Sequence, residues 1–407
     1  MKEICRPLKR LCNRTADERP DMLLIRNGQV LLANGRTTRS DILIEHGRIR
    51  KIGRIRQKRI PELDAGGAYV LPGLIDLHTH GIGRESVNGS LKAYAELEAA
   101  NGTTTFYPTL FGPPGESCEH LRRHLRETRN LKATPQVGGF RLESPYLANT
   151  GAGINNDLTP ISRGLTNQLL KAGGGHIKIW DISPELPLAE KIIRFLSARG
   201  IICSLAHTTC SIEQAKAAVE AGARLVTHLF DTFTVPKETD PGVYPAGLTD
   251  YLLLEDRVAC EIIADGTHVP PLLVEKTIRC KPSEKTIFVT DSNFGAGLPA
   301  GEYTLPQGWG RVRIDGPNSG VRLIDRAMAL AGSALTPIQA FRNAIKLFGK
   351  DMAAASQLCS LNPARLMNLN KGEIAVGRDA DLVILNPDLE LTHTIGGGNV
   401  LYKNHAH

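Results

Sequence analysis

Leu71-Pro-Gly-Leu-Ile-Asp-Leu-His-Thr-His80 is the stretch whose conformation decides the rest of the chain. An apolar run of strand character ends here in two histidines one residue apart. Alternate residues of a strand point to the same side, so His78 and His80 project together from its C-terminal end. Two imidazoles on one face make half of a metal site, because neutral imidazole is a common nitrogen ligand for zinc and similar metals. The pair alone is a weak signal, since a turn with two solvated histidines reads the same way. Its weight comes from its company.

Downstream, from residue 72 to about 370, strand-like runs alternate with helical ones, which argues for parallel βα units. Strands are expected to end at Thr104-Thr-Phe-Tyr, Gly139-Phe-Arg-Leu-Glu, Ile177-Lys-Ile-Trp, Ile201-Ile-Cys-Ser-Leu-Ala-His, Leu225-Val-Thr-His, Cys260-Glu-Ile-Ile-Ala-Asp and Thr286-Ile-Phe-Val-Thr-Asp. The strand before His78 brings them to eight. Between two of them, Ser211-Ile-Glu-Gln-Ala-Lys-Ala-Ala-Val-Glu-Ala-Gly opens on a serine cap and closes with Gly222 at a C′ position. The expected fold is α/β, a (β/α)8 TIM-like barrel whose strand ends share one chemical mouth.

Both chain ends read differently. Met22 to Ile60 forms short β segments broken by Asn27-Gly and His46-Gly, and Ala380-Asp-Leu-Val-Ile-Leu-Asn-Pro and Leu389 to Tyr402 have the same character. A small β-sandwich formed from both chain termini, residues 21–71 and 371–407, is therefore expected around a barrel over 72–370. Residues 1–20 are a basic extension without periodicity.

The 407 residues are 42% hydrophobic and 22% charged, with no apolar run long enough to span a bilayer. The net charge of +7 is scattered apart from Lys2 to Arg19, which favours mild anion steering over a nucleic-acid partner. Eight cysteines (Cys5, Cys12, Cys118, Cys203, Cys210, Cys260, Cys280 and Cys359) never form Cys-x-x-Cys, and no charged-then-apolar leader precedes them. Reduced thiols in a cytoplasmic protein are the simplest account. Cys203 and Cys210 flank His207 and read as buried small residues rather than ligands.

Five strand ends carry groups that bind metal or move protons: His78 with His80, Glu143, His207, His228 and Asp291. Singly, each has an ordinary alternative: Glu143 as a surface carboxylate, His207 and His228 as satisfied core histidines, Asp291 as a helix cap. Their coincidence at one rim points to a site with Glu143, His207 and His228 as ligands and a position left open for water. Such an ion lowers the pKa of water from roughly 15.7 towards about 7 and polarises an amide carbonyl. Asp291 would take the water proton and return it to the leaving amine, which departs poorly as an anion. Hydrolysis is the expected reaction. Lys178 could be a carbamylated bridge, but Glu143 already supplies that carboxylate.

The segments Pro72-Gly-Leu-Ile-Asp-Leu-His-Thr-His-Gly, Leu142-Glu-Ser-Pro-Tyr, Ala206-His, Val226-Thr-His-Leu-Phe, Ile262-Ile-Ala-Asp-Gly-Thr-His-Val, Val289-Thr-Asp, Leu330-Ala-Gly-Ser-Ala-Leu-Thr and Asn362-Pro-Ala-Arg resemble the N-acetylglucosamine-6-phosphate deacetylases of the amidohydrolase superfamily. The resemblance runs from about residue 22 to 402. It implies release of acetate from an N-acetyl amino sugar, with one or two divalent ions per chain, zinc first and iron, manganese or cobalt as alternatives. It implies that Glu143, His207 and His228 are the main ligands, that His78 and His80 hold a second ion, and that Asp291 is the acid/base. Asn155, Asp231, Thr232, His268, Leu330, Ala331 and Gly332 fall at substrate positions. A homodimer is expected.

The sugar-reading positions depart from the pattern. Family members usually read Leu-Phe-Asn-Ala-Met and then Arg-Glu-Pro-Gly, the arginine reaching a neighbouring subunit's substrate phosphate. This chain has Leu229-Phe-Asp-Thr-Phe and then Thr239-Asp-Pro-Gly. Thr239 supplies no charge, and Asp231 would repel a phosphate by ~1–4 kcal/mol at about 4 Å. Lys237 is the nearest substitute, without arginine's planar fork. Asn155 stands where the family has a histidine, and Ser144 where it has glycine, whereas His268 matches. Two alternatives follow: an amidohydrolase for a non-phosphorylated or different N-acyl or cyclic amide, and a non-catalytic binding relative. The second is disfavoured because all six metal and proton-shuttle positions are filled.

Overall fold

In the computed structural model, which describes residues 22–57, 59–151, 158–238, 240–305 and 310–404, the expected strand ends line up around one axis. The strands are β1 (Leu74–Thr79), β2 (Thr103–Leu110), β3 (Phe140–Leu142), β4 (Ile177–Ile182), β5 (Ile202–Leu205), β6 (Leu225–Val226), β7 (Ala259–Ile263) and β8 (Thr286–Val289). Each is parallel to the next. The chain just past β8 closes the ring: Asp291 N–H donates to the His78 carbonyl at 2.9 Å, and His80 N–H donates to that of Ser292 at 2.8 Å. These closing bonds involve three site candidates directly, Asp291, His78 and His80, so barrel closure and site assembly are one event.

Helices cover the strands and bury a continuous apolar layer that includes Leu142, Trp180, Leu205, Val226, Ile262 and Phe288. The helix Ile212–Ala221 starts as expected, with a reciprocal capping box between Ser211 and Gln214, and ends at Gly222 with φ 121°. The capping box satisfies two N-terminal amides that would otherwise lack partners.

The chain ends share a single eight-stranded sheet. Asn399–Lys403, Leu391–Gly396, Leu382–Leu385, Tyr69–Pro72, Met22–Leu31, Thr37–Glu45 and Arg48–Gly53 pair in that order, with Glu62–Asp64 added beside Met22–Leu31. The sheet has a core of its own, in which Ile25, Val30, Ile42 and Ile44 from the N-terminal part meet Leu382, Ile384 and Ile395 from the C-terminal part. Neither end could bury these residues alone. Tyr69–Pro72 runs almost directly into β1, so the sheet anchors the strand that carries His78 and His80.

One feature departs from simple βα alternation. After β8 the chain makes a four-stranded antiparallel excursion, Gly301–Leu305, Gly310–Ile314, Gly320–Leu323 and Ala329–Ser333. It packs Phe294, Val312, Ile314, Val321 and Leu323 into a small cluster beside the barrel mouth. Among the described residues no helix is long and apolar enough to cross a membrane. The six described cysteines are unpaired, five of them buried.

Candidate active site

Glu143 is the centre of the cluster. Its Oε1 lies 2.9 Å from His207 Nε2 and 3.3 Å from His228 Nε2. Its Oε2 lies 3.0 Å from His80 Nε2 and 3.4 Å from His78 Nε2. The two oxygens of one carboxylate thus face two separate histidine pairs. Asp291 approaches from the His78 and His80 side, with Oδ1 3.4 and 3.3 Å from their Nε2 atoms. The six expected residues meet at one rim.

Each is placed by its strand. His78 is the penultimate residue of β1 and His80 follows it on the same face, their Nε2 atoms 3.2 Å apart. Glu143 follows β3, and Asp291 lies two residues past β8. His207, His228 and Asp291 have φ of 46°, 26° and 46°. Left-handed backbone at non-glycine residues costs ~1–3 kcal/mol each and persists where the surroundings enforce it. Here it turns three side chains inward at the points where their strands end.

The donor set fits a metal ion. Ligand atoms ~2.0–2.1 Å from a tetrahedral centre lie roughly 3.3 Å apart, and the distances between Glu143 and the four rings run from 2.9 to 3.4 Å. Two groups meet this geometry, His78, His80 and Glu143, and Glu143, His207 and His228. The His80 Nδ1–H donates to the Thr109 carbonyl at 3.0 Å, which leaves Nε2, the nitrogen facing Glu143, as the one that can ligate an ion once its proton is displaced. Burial opposes charge on His80, yet Glu143 and Asp291 more than offset it and raise its pKa to about 10. His228 is likewise buried and raised to about 10, by Glu143, Asp231 and Asp291. Glu143 resists its own burial and sits well below the usual carboxylate range because four imidazoles surround it. The cluster therefore attracts added positive charge.

A cavity of about 390 Å³ opens over this cluster. His80, Glu143, His207, His228 and Asp291 line it together with Asp231, Thr232, His268, Leu330, Ala331 and Gly332. Asn155 and Thr239 lie outside the described residues. The His268 Nδ1–H donates to Asp265 at 2.7 Å, and Asp265 also accepts from the amides of Thr267 and His268, so the ring is rigidly held. Gly332 has φ 68°, and a Cβ there would sit 2.6 Å from the Asp291 carbonyl oxygen. Only glycine lets this wall touch the Asp291 backbone.

One sequence alternative finds no support in the geometry. Lys178 donates to the Gly175 carbonyl at an exposed position, away from the cluster. Lys237, the substitute expected to reach a neighbouring subunit's phosphate, is exposed.

The profile of the amidohydrolase family matches residues 69–401. The chain belongs to the amidohydrolase family. It is accordingly a metal-dependent hydrolase of carbon–nitrogen bonds. Among its relatives, N-acetylglucosamine-6-phosphate deacetylase of Lysinibacillus sphaericus is 30% identical over 387 residues, covering 93% of this chain and 97% of that protein. The enzyme of the same name from Homo sapiens is 28% identical over 393 residues, covering 92% of this chain and 95% of that protein. A mutant N-acetyl-D-glucosamine-6-phosphate deacetylase from Mycobacterium smegmatis, solved in complex with N-acetyl-D-glucosamine-6-phosphate, superposes with a TM-score of 0.82 at 26% identity, covering 94% of this chain and 100% of that one.

Beneath the cluster this amidohydrolase carries an ionic layer that the sequence reading overlooked. Arg141, fully buried, donates to Asp181 through Nε and Nη2 at 3.0 Å each, and to Glu261 through Nη1 at 2.7 Å and Nη2 at 3.0 Å. It also donates to the Leu77 carbonyl at 3.1 Å, tying β3 to β1 just before His78. Glu261 Oε2 in turn lies 3.8 Å from His78 Nδ1. The available signal was charged residues inside three largely apolar strands: Phe140-Arg-Leu, Ile177-Lys-Ile-Trp-Asp-Ile and Ala259-Cys-Glu-Ile-Ile. A second omission is Arg322, which also lines the cavity.

Proposed function

We propose that this amidohydrolase removes the acetyl group from an N-acetyl amino sugar, N-acetylglucosamine 6-phosphate, the compound in the names of its relatives. The observation that carries the reading is the division of Glu143 between two histidine pairs, with Asp291 beside one pair, under a cavity of sugar size. Glu143, His207 and His228 would hold one ion, and Glu143, His78 and His80 a second, zinc being the first candidate. Metal bound there would acidify water and polarise the acetyl carbonyl.

Asp291 carries a carboxylate whose Oδ1 lies 3.4 and 3.3 Å from the Nε2 atoms of His78 and His80, beside the proposed ion sites. It is therefore ready to accept the water proton, and once protonated it can pass that proton to the sugar nitrogen as the amide C–N bond breaks. Acetate and the free amine leave. His268, held by Asp265 and facing the cavity, would orient the sugar. A homodimer in the cytoplasm belongs to the same reading and rests on the resemblance.

The test is acetate release from N-acetylglucosamine 6-phosphate by metal-loaded protein, before and after chelation, together with the ion count per chain. Activity lost with chelator and restored by a divalent ion, at up to two ions per chain, supports the reading. A metal-loaded protein that releases no acetate from this sugar or its unphosphorylated form overturns it.

A further inference from the structure

Arg322 is the guanidinium in the wall of the cavity above Glu143 and Asp291. It lies on the excursion strand Gly320–Leu323, paired opposite Leu330. Its Nη1 donates to the Met328 carbonyl at 3.0 Å. Two other arginines of the same sheet are each matched to a carboxylate, Arg311 to Asp325 and Arg313 to Asp315. Arg322 forms no ion pair among the described residues. A guanidinium offers five N–H donors, so most of this half-buried fork is available to a ligand.

Its position relative to the reacting end follows from backbone pairing. Ser333 N–H donates to the Asp291 carbonyl at 2.8 Å, and Gly332 packs against that same oxygen. Leu330 lies two residues before Gly332 on that strand and Arg322 is across from it, the pairing being irregular between Gly320 and Arg322. Asp291 and Arg322 therefore sit at opposite ends of one short wall. Both residues line the same cavity. The planar fork suits a phosphate, which takes parallel N–H···O bonds.

We propose that Arg322 is a specificity-determining residue that receives the substrate phosphate from within the same chain. This rests on the amino-sugar reading above. It also answers the charge problem posed by Thr239 and Asp231, because the cation comes from the antiparallel excursion and not from the loop after β6.

The test compares wild type with Arg322→Met and Arg322→Lys on N-acetylglucosamine 6-phosphate and on N-acetylglucosamine, with melting temperature and ion content as controls. Arg322→Met should lower kcat/KM for the phosphorylated sugar by about 10- to 100-fold, chiefly through KM, and leave the unphosphorylated sugar within about twofold. Arg322→Lys keeps a cation and a donor towards Met328, and should fall between the two. If Arg322→Met melts early, Arg322→Lys carries the comparison. Equal losses on both sugars, or no selective loss on the phosphorylated one, overturn the assignment and leave deacetylation standing. If wild type acts on neither sugar, inorganic phosphate binding decides the matter, because any affinity for bound metal is common to both proteins. Weaker binding by Arg322→Met then supports an anion site, and equal binding removes it.

Discussion

Asp291→Asn separates proton transfer from metal binding more cleanly than any other substitution at this site. Asparagine keeps the shape of the side chain but cannot take a proton from water. The backbone bonds that close the barrel here, from Asp291 N–H to the His78 carbonyl and from Ser333 N–H to the Asp291 carbonyl, involve no side-chain atom. Fold and melting temperature should therefore hold. The set formed by Glu143, His207 and His228 does not include Asp291, so at least one ion per chain should remain. General acid–base catalysis contributes about 10²–10⁴-fold, or ~2.7–5.4 kcal/mol of barrier at roughly 1.36 kcal/mol per tenfold. The expected result is kcat reduced by two to four orders of magnitude, with ion content unchanged and KM altered little. Acetate release under saturating sugar, with metal analysis of the same sample, measures it. A variant that retains its ion and works within about tenfold of wild type would refute Asp291 as the proton carrier. Complete loss of metal would refute the division into two ligand sets.

Two further predictions concern what lies around the site. Arg141→Met strands the buried carboxylates of Asp181 and Glu261, each at 0% exposure, and should destabilise the protein by ~3–5 kcal/mol in denaturant unfolding. Replacing both acids by Asn and Gln in the same chain should recover much of that loss, and a single variant as stable as wild type would show that the layer is not structurally required. Burial depresses the His124 pKa from 6.5 to about 4, and its neutral ring donates Nε2–H to the Val87 carbonyl at 2.6 Å. Between these values the unfolded chain binds a proton that the folded one refuses, so this residue's contribution to stability falls as pH drops from 6.5 to about 4, by roughly 3 kcal/mol. Thermal unfolding across that range should show a steeper decline for wild type than for His124→Gln, and parallel curves would rule out the assignment.

What the sequence determined by itself is local. Strand and helix alternation follows from the spacing of apolar residues, the Ser211 cap from a short motif, and the shared face of His78 and His80 from the period of a strand. The coincidence of ligating and proton-moving residues at strand ends extended this to Glu143, His207, His228 and Asp291, and the family resemblance agreed with it. Only the tertiary structure decided distances. Barrel closure brings Glu143 between two histidine pairs and lays Gly332 against the Asp291 carbonyl. Arg141, Asp181 and Glu261 were visible as isolated charges in apolar strands, but their mutual compensation exists only where the strands converge. Arg322 had no local signal at all: an arginine on a short antiparallel strand is ordinarily a solvated charge, as Arg311 and Arg313 are. It faces the cavity because that excursion folds back over the mouth of the barrel, a contact set by chain topology and not by residue type.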